Sequence, residues 1–228
     1  MYIVLLILSL LISYLLGSIN FAIIISKVFM KSDVREHGSG NAGMTNVMRS
    51  AGKLPGIFTL LGDALKGAVA VALGRFIFFP QIFESTGNEM LLPVYGAFLC
   101  GIFCMLGHIF PIFFGFRGGK GVATTLGIVL MIDWRVALCA LTLFVVLFLF
   151  TKIVSISSMA AAASVSVFSA LFFPLLGYAP NDGRRLFVVI LGLIFALIII
   201  VKHKENIVRL INGEEKKLTS KKGDEMNG

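Results

Sequence analysis

The feature that most limits this chain is a succession of apolar runs of roughly bilayer-crossing length, separated by short stretches that carry almost all of its charge. A helix needs about 20 apolar residues to traverse a hydrocarbon core about 30 Å thick. Such runs occupy Tyr2–Ser26, Leu54–Phe79, Leu91–Phe110, Val122–Ile132, Val136–Phe150, Val154–Phe173 and Leu186–Val201. Only 14% of the 228 residues are charged and 57% are hydrophobic, whereas a soluble domain has about 25% charged residues. No stretch alternates polar and apolar residues in the manner of a membrane-spanning strand, which argues against a barrel. The expectation is an all-α integral membrane protein of about seven transmembrane helices. Residues 1–212 then form a single polytopic domain, and 213–228 a lysine-rich tail that frays from Asn212.

The fourth run is short. One kinked helix over Val122–Phe150 would place Asp133, Trp134 and Arg135 at membrane depth, where charge is costly. A break at the interface, with Trp134 as its anchor, costs less. The N-terminal run lacks the basic start and small-residue cleavage site of a signal peptide, so Met1–Ile25 is read as a retained anchor. Pro80–Met90 and Pro174–Arg185 are read as plain outer connectors.

Lysine and arginine set the orientation. With seven spans and the N-terminus outside, the inner segments hold Lys27, Lys31, Arg35, Arg49, Lys53, Arg117, Lys120, Lys152 and seven residues from Lys202 onward, fifteen of the 20 basic residues. The outer segments keep Arg75, Arg135, Arg184 and Arg185. That asymmetry places the C-terminus in the cytoplasm. The net charge of +8 thus reflects topology and anionic substrates and does not point to nucleic acid. Cys100, Cys104 and Cys139 lie in apolar runs with no metal or disulfide spacing and read as small buried hydrophobes.

The chemistry lies in the polar interruptions. Glu36–Arg49, EHGSGNAGMTNVMR, holds Gly38, Gly40 and Gly43 within six residues, so the backbone can turn through positive φ and bring its N–H groups to a ligand. Ser39, Asn41, Thr45 and Asn46 add side-chain donors, and Arg49 a planar cation suited to phosphate. This is the inventory of an anion cradle. Gly38-x-Gly40-x-x-Gly43 matches the dinucleotide fingerprint in letters only, since a membrane-length run precedes it and not a short strand. A second loop, GFRGGKGVAT at Gly115–Thr124, carries Arg117 and Lys120 among Gly118, Gly119 and Gly121. Phe114 and Gly121 stand where a Walker motif needs glycine and a hydroxyl, so it is not one. A helix starting at Val122 would aim its free N–H groups at these glycines. His108 precedes the loop as a substrate contact or as an interface residue at the span's end. A third segment, KHKENIVR at Lys202–Arg209, places His203 and Asn206 on one helical side with Lys202 and Arg209 nearby. Alone it would read as a basic cluster for acidic lipid. All three segments fall on the cytoplasmic side of the assigned topology.

Two polar groups lie within spans. Asp63 and Lys66, at i and i+3, read first as a packing ion pair, with function as the alternative. Gly17, Ser18 and Asn20 read as a close-packing patch.

Taken together, HGSGNAGMTNVMR, GHIFPIFFGFRGGKGVAT and KHKENIVRL closely resemble the three motifs of the bacterial acyl-phosphate:glycerol-3-phosphate acyltransferases, the PlsY family. LGDALKG and Val154–Ser158 resemble it too, and the likeness runs from Gly17 to Glu214. Asn20 and Ala22 stand where the family usually has proline and glycine, which puts a first-helix kink in doubt, and Arg117 replaces a lysine. The resemblance implies transfer of an acyl chain from acyl phosphate to the 1-hydroxyl of glycerol 3-phosphate in the bacterial inner membrane, yielding lysophosphatidic acid and phosphate. It implies catalytic roles for Ser39, Lys120, His203 and Asn206, and pocket roles, more weakly, for Ser155 and Ser158. No histidine begins the H-x₄-D pair of CoA-dependent acyltransferases. No cofactor, metal, nucleic acid or obligate protein partner is expected; the partners are the two substrates and membrane lipid. Two phosphates close together need several cations, which Arg49, Arg117, Lys120, Lys202 and Arg209 supply. A phosphate-ester transporter is the competing reading, but no internal repeat of the transporter kind is visible.

Overall fold

The computed structural model describes residues 2–172 and 183–218, and every regular element among them is helical. Among the described residues, six segments are long and apolar enough to cross a membrane: Tyr2–Met30, Lys53–Thr86, Pro93–Phe114, Trp134–Thr151, Val154–Phe172 and Arg185–Lys202. The fourth expected crossing, Val122–Ile132, is a helix of 11 residues and so spans only about 16 Å at about 1.5 Å per residue. The connector expected at Pro174–Arg185 and the tail from residue 219 lie largely or wholly outside the described residues.

The chain divides into two compact units, 1–137 and 138–228. In the first, α1 (Tyr2–Ser18) stops at Ile19, and α2 (Phe21–Met30) starts from Asn20, whose side chain accepts the Ile23 N–H. The break thus forms without a proline, because asparagine is among the best N-caps. A short turn, Val34–Glu36, leads to α3 (Met44–Ala51) and then α4 (Lys53–Leu73). A wide π-helical turn at Gly74–Phe78 carries α4 into α5 (Phe79–Thr86). The expected plain connector at Pro80–Met90 is therefore wrong over its first half. Pro80 stands in the first turn, where its missing N–H costs nothing, and Phe79 and Ile82 pack fully buried against Cys100. The unit continues with α6 (Pro93–Ile109) and α7 (Val122–Ile132).

Two helix crossings share one device. A Cβ on Gly17 of α1 would collide with the Cys104 carbonyl of α6, and one on Gly107 of α6 with the Tyr14 carbonyl of α1. Gly67 of α4 and Gly127 of α7 lie in the same reciprocal way against the Thr124 and Ala64 carbonyls. In lipid, where apolar burial gives no net drive between helices, such backbone-to-backbone approach supplies the packing. Gly17 accordingly serves packing, as expected of the patch, whereas Ser18 bonds the Tyr14 carbonyl and Asn20 caps α2. Cys100, Cys104 and Cys139 are free thiols, the first two buried.

The second unit begins within α8 (Trp134–Thr151), followed by α9 (Val154–Phe172), α10 (Gly183–Lys202) and α11 (Lys204–Ile211). The break expected between α7 and α8 is present. Asp133 accepts the Arg135 N–H at 3.0 Å and pairs with its guanidinium at 2.8 Å, while Trp134 is 63% exposed. Within this unit Gly192 of α10 packs on Ser166 of α9.

Candidate active site

In the first unit, Gly38 and Gly40 adopt φ of 58° and 70°, the left-handed region where a side chain costs energy. Gly43 departs from that expectation. It is extended and serves as N-cap of α3, and a Cβ there would crowd Asn41 Nδ2. Ser39 and Arg49 are exposed, and Asn41 and Thr45 half-buried. Asn46 is different: expected to present its amide to a ligand, it is 2% exposed. Its Nδ2 donates to the carbonyls of Val34, His37 and Asn41 at 3.0, 2.9 and 3.1 Å, and its Oδ1 accepts the Ser39 N–H at 3.0 Å. The side chain is consumed in folding the loop and positions Ser39.

The second loop turns back on α6. Gly118 N donates to Ile109 O and Gly119 N to His108 O, at 3.1 and 3.2 Å. A Cβ on Gly119 would meet both the Ala42 carbonyl of the first loop and His108 Nε2, so only glycine lets the two loops touch here. Gly121, with φ of 85°, begins α7 with no side-chain cap, as the expected helix start at Val122 requires. The N-terminal N–H groups of α7 are therefore left for a ligand or water. Lys120 is half-buried and Arg117 exposed.

Arg35, read from the sequence only as a topological charge, ties the loops together. Its Nη1 donates to Phe114 O and Arg117 O at 2.8 and 2.9 Å, and Asp33 pairs with it at 2.8 Å. The hydrogen bond from Arg35 holds the Asp33 carboxyl below the usual carboxylate range, against its partial burial. Asp33, Arg35, Glu36, Phe114, Gly115 and Arg117 line a cleft of about 270 Å³.

His108 is 3% exposed, with its Nε2 against Gly119 of the second loop. Its Nδ1 lies 3.0 Å from Lys66 Nζ, which also contacts Asp63 at 2.7 Å. The Asp63–Lys66 pair thus exists, with a third member that spacing along one helix could not show.

In the second unit the third segment is not one continuous helix. α10 ends at Lys202 and α11 starts at Lys204, with His203 as its N-cap. His203 is 3% exposed and its Nδ1 donates to Ile199 O at 2.8 Å. Asn206 and Arg209 share a face of α11, and both grip Glu215. Asn206 Nδ2 donates to Oε1 at 2.6 Å and Arg209 Nε to Oε2 at 2.7 Å. Ser155 of α9 adds a third donor, its Oγ 2.8 Å from Oε1. Ser158 is buried one turn further along α9 and Lys202 is half-buried. Burial raises the Glu215 carboxyl, but the bonds from Arg209, Asn206 and Ser155 prevail and hold it below the usual range. The tail does not fray at Asn212 as expected, since Leu218 N still donates to Lys152 O at 3.0 Å. Nothing in the sequence marked Glu215, one of two adjacent acids ahead of a lysine pair.

Comparison with known proteins places this arrangement. The family profile described as glycerol-3-phosphate acyltransferase matches residues 7–213. Glycerol-3-phosphate acyltransferase 2 of Bacillus anthracis is 39% identical over 93% of this chain and 98% of its own. The glycerol-3-phosphate acyltransferase of Francisella philomiragia is 42% identical, covering 92% of this chain and 91% of its own. Among solved structures, the glycerol 3-phosphate form of PlsY (YgiH), an integral membrane glycerol 3-phosphate acyltransferase, aligns with a TM-score of 0.74 at 35% identity, over 92% of this chain and 94% of that one. Its lysophosphatidic acid form aligns at 0.73 and 34% identity, with the same coverage. The chain belongs to the glycerol-3-phosphate acyltransferase family and is an integral membrane protein of it.

Proposed function

We propose that the chain transfers the acyl group of an acyl phosphate to the 1-hydroxyl of glycerol 3-phosphate, at the cytoplasmic face of the bacterial inner membrane. The observation that carries this reading is the contact between two glycine loops beside the uncapped start of α7, a setting suited to phosphate. The solved relative with glycerol 3-phosphate supports the acceptor, and the one with lysophosphatidic acid the product.

The glycerol oxygen attacks the acyl carbon, the bond from that carbon to the phosphate oxygen breaks, and inorganic phosphate departs. The donor is a mixed anhydride with a good leaving group, so positioning and charge stabilisation supply most of the rate. The donor's own phosphate takes the hydroxyl proton. Ser39, Lys120, His203 and Asn206 hold the reactants in line. The phosphates are held by Gly38, Asn41, Thr45, Arg49, Arg117, Gly121, Lys202 and Arg209, with Ser155 and Ser158 as further hydroxyls, while Gly40, Gly118 and Gly119, whose N–H groups go to the carbonyls of His37, Ile109 and His108, shape the loops. No cofactor or metal takes part. Asn46 acts by shaping the first loop.

Purified protein given palmitoyl phosphate and glycerol 3-phosphate should release phosphate and form lysophosphatidic acid, and give no product with palmitoyl-CoA. Turnover with palmitoyl-CoA alone would overturn the donor assignment. A trapped acyl-serine at Ser39 would overturn the direct transfer.

A further inference from the structure

Within the first unit, Lys66 reaches further than a packing ion pair needs to. Asn20's side chain takes the Ile23 N–H at the α1–α2 break, which leaves the Ile19 carbonyl without the helical partner it would have had. Lys66 Nζ donates to that carbonyl at 2.7 Å. The same ammonium lies 3.0 Å from His108 Nδ1 and 2.7 Å from Asp63 Oδ1. All three side chains are at least nine-tenths buried.

An ammonium has donors only. The contact with Lys66 therefore makes Nδ1 of the neutral His108 ring the acceptor and places the proton on Nε2. The 3.5 Å between His108 Nδ1 and Asp63 Oδ1 is then a separation of two acceptors, longer than a hydrogen bond. The Nε2 edge faces Gly119, which lies against Ala42 of the first loop. Of the two ends of the lysine's network, one is the break that leads through α2 into the first glycine loop, and the other is the histidine beneath the second.

We infer that Lys66 is a positioning residue for both loops: it caps the broken first helix and fixes His108 as the Nε2–H tautomer against Gly119, while Asp63 compensates its charge. This rests on the two loops forming the substrate site.

The test uses the full-length protein labelled with ¹⁵N-histidine in detergent. It contains three histidines, His37, His108 and His203, and His108→Gln assigns the resonances. The wild type should show His108 protonated at Nε2 with a hydrogen-bonded, unprotonated Nδ1; the Nδ1–H tautomer would overturn the inference without any variant. The double variant Asp63→Asn/Lys66→Met removes both charges together, so no lone buried charge remains. It should melt within a few degrees of the wild type, shift the His108 Nδ1 resonance toward its non-bonded position, and lose about tenfold or more in kcat/KM. Lys66→Gln with Asp63→Asn keeps an amide donor and should recover part of that loss. A packing pair alone predicts an unchanged His108 resonance and unchanged turnover in both variants, and that result would refute the positioning role. An inactive wild type with the Nε2–H tautomer would defeat the acyltransferase reading and leave the network standing.

Discussion

Replacing Glu215 by alanine asks whether the segment after α11 is built into the second unit. Its two oxygens accept from Ser155 Oγ, Asn206 Nδ2 and Arg209 Nε at 2.8, 2.6 and 2.7 Å. The serine and asparagine bonds contribute about 1 kcal/mol each. The Arg209 side chain is 34% exposed, so water screens that pair and it adds about 1 kcal/mol at most. Glu215→Ala therefore costs about 3 kcal/mol, and Glu215→Gln about half, since the amide keeps one acceptor but turns an NH₂ toward a donor. For a chain of this length each kcal/mol lowers Tm by about 2–4 °C, so alanine should lower it by about 6–12 °C and glutamine by about 3–6 °C. Thermal unfolding in detergent reads the shift. Trypsin provides a second readout, because the exposed Lys216 and Lys217 should be cut faster once the tail is released. If Glu215→Ala kept the wild-type Tm and cleavage rate, the carboxylate would not anchor the tail and the reasoning would fail.

Asn46→Ala should lower Tm by several degrees and open Glu36–Arg49 to proteolysis, since four loop hydrogen bonds end on that side chain; a change confined to KM at unchanged Tm would return it to the ligand-contacting set. Gly127→Ala should destabilise by about 1–3 kcal/mol, because its methyl would enter the Ala64 carbonyl and force α4 and α7 apart, and a wild-type Tm would show that the crossing yields without cost. Asp33 and Glu215 both titrate lower in the folded protein. Their contribution is therefore full above the unfolded values of about 4 and lost as pH falls through the lower folded ones. Tm should stay level for these groups down to about pH 5 and fall below pH 4, and less steeply in Glu215→Gln.

The helices were legible because lipid leaves the chain few options: a run of apolar residues must satisfy its backbone internally, and Asp133 next to Arg135 had to end one. The glycine loops were legible for a similar reason, since Gly38, Gly40 and Gly119 stand where a Cβ would be strained or obstructed. The first break was misjudged because it was tied to proline, whereas Asn20 makes it by capping. α5 was taken for a connector because Pro80 reads as a stop, although a proline in the first turn permits a start.

The residues whose roles sequence reasoning missed share a physical trait: their partners are largely backbone carbonyls or residues distant in sequence. Arg35 binds the carbonyls of Phe114 and Arg117, Asn46 those of Val34, His37 and Asn41, and Lys66 that of Ile19. Every residue has a carbonyl, so no motif records which ones a fold leaves without a partner. A polar side chain beside a glycine loop has two possible employers, the ligand and the loop's own backbone, and letters alone favour the ligand. Burial decides between them: Asn46 at 2% exposure holds the first loop from within, while Ser39 and Arg49 on that loop remain open to solvent. The division has a chemical basis. A loop proposed to cradle highly charged phosphates cannot rely on them for its shape when empty, so part of its polar inventory must be spent on keeping it open.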